Sequence, residues 1–160
     1  MTFRITGLEP ARFAHLFGRS DAALAAQGAS RITVDRPHTA PCRISLEDAG
    51  PGETVLLLNF EHQPADTPYR ARHAIYVREQ AGLEAYDRVD EVPPALARRT
   101  LSARAFDARH MMSDAELVEG GGLPGLLRTW FTRDEVAYVQ VHYARRGCFA
   151  ARAVRAPKAS

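Results

Sequence analysis

Between Asn59 and Glu79 the chain reads NFEHQPADTPYRARHAIYVRE, a stretch with two histidines, two tyrosines, three arginines and two glutamates. Residues of these types can do chemistry together. Imidazole moves protons near neutral pH. A guanidinium forks onto carboxylate or phosphate oxygens. A phenol stacks or donates a hydrogen bond. His62 and His73 are therefore candidate catalytic proton carriers, and Tyr69, Arg70 and Arg78 candidate ligand-binding groups. Arg43, in CRISLEDA, is a further candidate for holding a carboxylate or phosphate. Cys148 is the third catalytic candidate, because it follows Arg145, Arg146 and Gly147. Cations beside a thiol favour its nucleophilic, ionised form.

The same residues admit a packing explanation. His73 shares strand parity with Ile75 and Val77, and His62 with Leu56, Leu58 and Phe60. Both therefore also fit as hydrogen-bonded core histidines. Cys42 faces the core by parity, and a buried thiol behaves as a small hydrophobe. No metal is assigned: His62, His73, His142 and Glu61 lack the i, i+4 or HxH spacing of a ligand pair, and no CxxC occurs. GGGLPG at 120–125 matches G-x-G-x-x-G, but no acidic residue closes a following strand and too little chain remains for a dinucleotide fold. It reads as a turn, and no cofactor is assigned.

Elements that would position these groups follow from periodicity. Strands are expected at 3–6, 31–35, 42–46, 55–60, 74–77, 101–106, 112–118, 136–142 and 148–154. Helical patterns cover 10–17, 21–27, 95–99 and 123–131, with Ser20 as an N-cap and Gly28 as a stop. Val55 to Phe60 is apolar on both faces, as in a central strand. Strands follow strands, so the expected fold is α+β: one domain over 1–160, with a largely antiparallel sheet and a few short helices. Pro64 and Pro68 stiffen the loop between the fourth and fifth strands, whose ends would meet at one sheet edge.

Composition sets the outer bounds. The chain has 160 residues, 46% of them hydrophobic and 25% charged, with a formal net charge of +2. That balance argues against disorder and against a field directed at nucleic acid or membrane. Lys158 is the only lysine. Base composition accounts for such an arginine bias, so arginine-rich stretches such as the tail RRGCFAARAVRAPK carry less weight. The opening MTFRITGLEPARF has no signal-peptide core, and the longest apolar run, Val55 to Leu58, is too short to span a bilayer. A cytoplasmic location with reduced thiols is expected. The expected partner is an anionic small molecule bound near the 61–78 loop, with enzymatic activity left open. The alternative is a non-catalytic interaction domain. It would act through an exposed strand edge or a homodimer, with the C-terminal hairpin of Tyr143 and Phe149 as one such edge.

Four blocks in order, CRISLEDAGPGE, NFEHQPADTPYRARHAIYVRE, AFDARHMMSDAELVEG and VHYARRGCFAAR, run from Cys42 to Arg152. Together they resemble a bacterial family catalogued as domain of unknown function 1203. The resemblance implies a bacterial, soluble, stand-alone domain and brings no reaction or catalytic residue with it. Its blocks contain Cys42, Arg43, His62, Tyr69, Arg70, His73, Arg78 and Cys148. Tyr143 departs from it, standing where asparagine is expected.

Overall fold

Two antiparallel sheets carry the chain in a computed structural model that describes residues 1–157. The larger sheet has six strands in the order β5-β1-β9-β8-β6-β7, and the smaller has three in the order β2-β3-β4. The strands are β1 (Phe3–Thr6), β2 (Ser30–Thr33), β3 (Thr54–Gln63), β4 (Ala71–Arg78), β5 (Asp87–Val89), β6 (Thr100–Phe106), β7 (Met112–Glu119), β8 (Tyr138–Tyr143) and β9 (Phe149–Arg155). Three short helices join them: α1 (Asp21–Ala26), α2 (Pro94–Ala97) and α3 (Leu123–Trp130). The class is α+β with the weight on β.

Local signals explain most of these elements. Ser20 caps α1 by accepting from the Ala23 N–H at 3.1 Å, and Gly28 leaves the helix at φ 71°. Leu123, Leu127 and Trp130 recur on one face of α3 and are buried there. With α2 and one face of the large sheet they close a core that includes Phe3, Ile5, Leu101, Val139 and Val141. β3 is the middle strand of the small sheet, and Leu56 and Leu58 pack with Phe13, Leu16, Leu24 and Ile75 in a second core. Gly120 to Gly122 form a 3-10 turn leading into α3. A Cβ on Gly120 would collide with the backbone carbonyls of Leu96 and Ala97, so close packing explains that glycine.

Three expectations change. Pro10 to Phe17 is two 3-10 turns, Pro10–Arg12 and Ala14–Leu16, broken at Phe13. The segment 42–46 is an irregular turn rather than a strand, although Cys42, Ile44 and Leu46 are all buried. Its backbone groups go to several neighbours: Arg43 N to Tyr76 O, Leu8 N to Arg43 O, and Tyr86 N to Ile44 O. No single partner strand exists for it, so alternation in sequence does not become a ladder. The C-terminal hairpin is no edge: β8 and β9 are each paired on both sides, and Tyr143 and Phe149 are buried.

Among the described residues no helix is long and apolar enough to cross a membrane.

Candidate functional site

The residues singled out from the sequence lie in four places. Glu61 faces Arg72 and Phe60 faces His73 across the β3–β4 ladder. Arg70 is exposed and pairs with Glu61, Nε to Oε2 at 3.1 Å. His73 is half-buried, its Nδ1 3.1 Å from Ala74 O, and Tyr69 meets the Phe106 ring edge-on. Arg78 lies at the other end of β4, roughly 25 Å away for an eight-residue strand, and pairs with Glu53. Arg43 and Cys148 lie together in the interior.

Arg43 is fully buried without a carboxylate partner among the described residues. Its Nε donates to Phe149 O at 2.7 Å, Nη1 to Pro41 O at 2.5 Å and Nη2 to the Cys148 sulfur at 3.1 Å. The guanidinium also stacks 4.8 Å from the centre of the Tyr143 ring. Charge-assisted bonds to two carbonyls and a π face replace water for this cation. They tie the 41–43 turn to β9.

His62 belongs to a polar face between the sheets. Alternation along β8 places Tyr138, Gln140 and His142 on the side toward β3, and Val139 and Val141 on the side toward α3. Gln140 Nε2 donates to His62 O at 2.9 Å, and Gln140 Oε1 lies 2.9 Å from His62 Nδ1 and 3.1 Å from His142 Nε2. The other His142 nitrogen lies 2.9 Å from Gly147 O. Burial, foremost, pulls His142 down to about 3, and burial likewise lowers His62. Both are therefore neutral near pH 7.

Another opening lies elsewhere. It is a cavity of about 620 Å³ between the 38–41 loop, the start of β6 and the β8–β9 turn. His38, Arg98, Arg99, Tyr143, Arg145 and Arg146 line it, with Thr39, Pro41, Tyr76 and Thr100. Asp48 organises one wall from below, its side chain only 7% exposed. Arg99 grips it bidentately at 2.7 and 3.1 Å and also donates to His38 O at 2.9 Å. Arg98 Nε lies 3.4 Å from the same carboxylate. His38 holds φ 59°, a left-handed conformation that non-glycine residues rarely keep without support. The opposite wall carries Arg145 and Arg146, exposed and without an acidic partner among the described residues.

Tyr143 sits between the walls. Guanidinium groups lie against its ring at 4.8 Å (Arg43) and 5.2 Å (Arg99). Its hydroxyl is buried and has no hydrogen-bond partner among the described residues. Burial pushes the phenol up to about 12, so it carries its proton at neutral pH and is a donor. A buried donor without an acceptor destabilises the free protein and needs an explanation.

Sequence reasoning passed over Asp48, Arg98, Arg99, Tyr138, Gln140 and Arg152. The Tyr-x-Gln-x-His alternation of β8 was a usable signal for the polar face. Nothing local could join Asp48 to Arg99, which lie 51 residues apart. No group of three or more His, Cys, Asp or Glu side chains is placed to hold a metal ion among the described residues.

No curated protein and no solved structure matches the chain. A family profile does, over residues 39–155, a span that holds the lining of the arginine cavity except His38, and the polar face between the sheets. The chain belongs to the family described as protein of unknown function (DUF1203).

Proposed function

We propose that this protein binds a small anionic molecule, a carboxylate or phosphate compound, in the arginine cavity. One observation carries the reading. Four guanidinium groups surround an opening of about 620 Å³ that no acidic side chain lines, and a buried tyrosine hydroxyl beside them has no acceptor. The volume lies in the usual range for small-molecule sites. Asp48 fixes Arg98 and Arg99 in place, so one wall needs little ordering when an anion arrives. Arg145 and Arg146 supply the charge that the fold leaves uncompensated. The Tyr143 hydroxyl is closed to water in the free protein, so an anion oxygen would reach and satisfy this orphaned donor only with a side-chain shift.

The test is a thermal-shift titration with inorganic phosphate, pyrophosphate and citrate at matched ionic strength. An anion at about a hundred times its dissociation constant adds roughly 2.7 kcal/mol, a shift of several degrees. Arg145→Ala/Arg146→Ala removes only exposed side chains and is expected to abolish the shift. Tyr143→Phe is expected to weaken binding about tenfold, the loss of one hydrogen bond to a charged group. An equal shift in the double variant, or no shift with any of the three anions, would overturn the assignment.

A further inference from the structure

A second cavity, of about 250 Å³, opens between the sheets and shares no lining residue with the first. His62, Gln63, His110, Tyr138, Gln140 and Arg152 supply its polar lining. We propose that it is a separate binding site for a small carboxylic acid that also carries an O–H or N–H donor. His62 Nε2 would accept the donor's hydrogen, and Arg152 would hold the carboxylate.

The argument starts at Gln140. Its Nε2 faces His62 O at 2.9 Å, and a carbonyl can only accept, so the amide is locked with Oε1 toward the His62 ring. An amide oxygen also only accepts, so His62 Nδ1 carries the proton. In a neutral imidazole Nε2 is then a lone pair. That nitrogen has no hydrogen-bond partner among the described residues. The ring is held from two directions: Phe149 stacks on it at 5.4 Å and 8°, and His142 meets it edge-on at 4.9 Å. A fixed acceptor therefore lines the cavity.

The second feature is a cation. Arg152 is exposed and lies over the Tyr138 ring, 4.1 Å from its centre, with no acidic partner among the described residues. The Tyr138 hydroxyl accepts from Gln63 Nε2 at 2.8 Å and lies 2.8 Å from His110 Nδ1. Floor and rim are thus already satisfied, while His62 Nε2 and Arg152 are not. A plain carboxylate would satisfy Arg152 but bring oxygen lone pairs toward the His62 lone pair. A hydroxy or amino acid satisfies both groups. The small volume suits a ligand of only a few heavy atoms.

The probes are glycolate, which has the donor, and acetate, which lacks it. Histidine ring resonances are followed by long-range proton–nitrogen NMR on the full chain. The Arg145→Ala/Arg146→Ala background removes the other cavity from the reading, so failure there and failure here are distinguishable. Expected results are an Nδ1-protonated His62 in the free protein and glycolate-dependent shifts at His62 and His110. Glycolate should bind about tenfold tighter than acetate, one hydrogen bond's worth, and Arg152→Gln should weaken it by a similar factor. An Nε2-protonated His62 would overturn the proposal. So would equal binding of the two acids, or unmoved His62 signals at about 100 mM glycolate, beyond any useful affinity.

Discussion

Lowering the pH from about 7.5 to 5 protonates an exposed histidine, and His142 is the one this fold most strongly prevents from accepting that proton. Its ring is buried on β8 between the sheets. Around it stand Arg104, His62 and His73, all cations or potential cations, with Phe149 edge-on at 5.8 Å. Two acceptors, Gly147 O and Gln140 Oε1, favour the charged form, but no carboxylate is among its neighbours. Burial outweighs them and brings the group from 6.5 to about 3. Between those values the unfolded chain binds the extra proton and the folded one does not, so stability falls as pH falls through 6.5. Each pH unit below that point removes about 1.4 kcal/mol, giving a loss of about 2 kcal/mol at pH 5.

His62 contributes in the same direction, but less, because it is only half-buried. Glu53, Glu79 and Asp87 are held low, chiefly by hydrogen bonds from Gly50, Arg31 and Arg4 respectively. Their stabilisation is present above the ordinary carboxylate range and is lost mainly below about pH 4.5. The assay is urea unfolding across this range for the wild type and His142→Asn, whose amide can still donate toward Gly147. The comparison cancels the carboxylates, which both proteins share. The wild type should lose about 2 kcal/mol more than the variant. A difference that does not change with pH would refute the reasoning. A wild type that gains relative to the variant in acid would show that the two acceptors, rather than burial, govern the ring.

Three further outcomes are expected. Arg43→Met leaves Phe149 O and Pro41 O without a donor in the interior and should cost roughly 3 kcal/mol in chemical denaturation, with Arg43→Lys recovering little because an ammonium cannot fork. Tyr143→Phe should have the opposite sign: removing the orphaned hydroxyl should raise anion-free stability by about 1 kcal/mol, read as a higher melting temperature. Gly7→Ala places a Cβ on the Ile44 carbonyl and should destabilise by about 3 kcal/mol, measured by urea unfolding.

Much of the framework was legible because it rests on near neighbours. Ser20 and Gly28 bound α1, and the three-and-four spacing of Leu123, Leu127 and Trp130 marks α3. The apolar run of β3 marks a middle strand, and the turn after Asp107 joins β6 to β7. The loop after β3 stood out for its residue types, but its arginines do not converge. Arg70 and Arg78 end at opposite ends of β4, each beside its own glutamate. The segment 42–46 misled because its alternation reflects burial in a crossing turn, and burial alone does not specify a partner strand.

Local periodicity and capping thus determined by themselves where the chain turns, coils and extends, since those choices depend on side chains a few positions apart. Only the tertiary structure decided which charges meet. Asp48 reaches Arg99 across 51 residues, Gln140 reaches His62 across 78, and Arg43 reaches Cys148 across 105. Each pairing depends on the stacking of two sheets and on a turn threaded between them. A guanidinium or an imidazole has the same composition whether solvent or a buried carboxylate faces it, so the arginine cavity and the histidine cleft exist only once the sheets have closed.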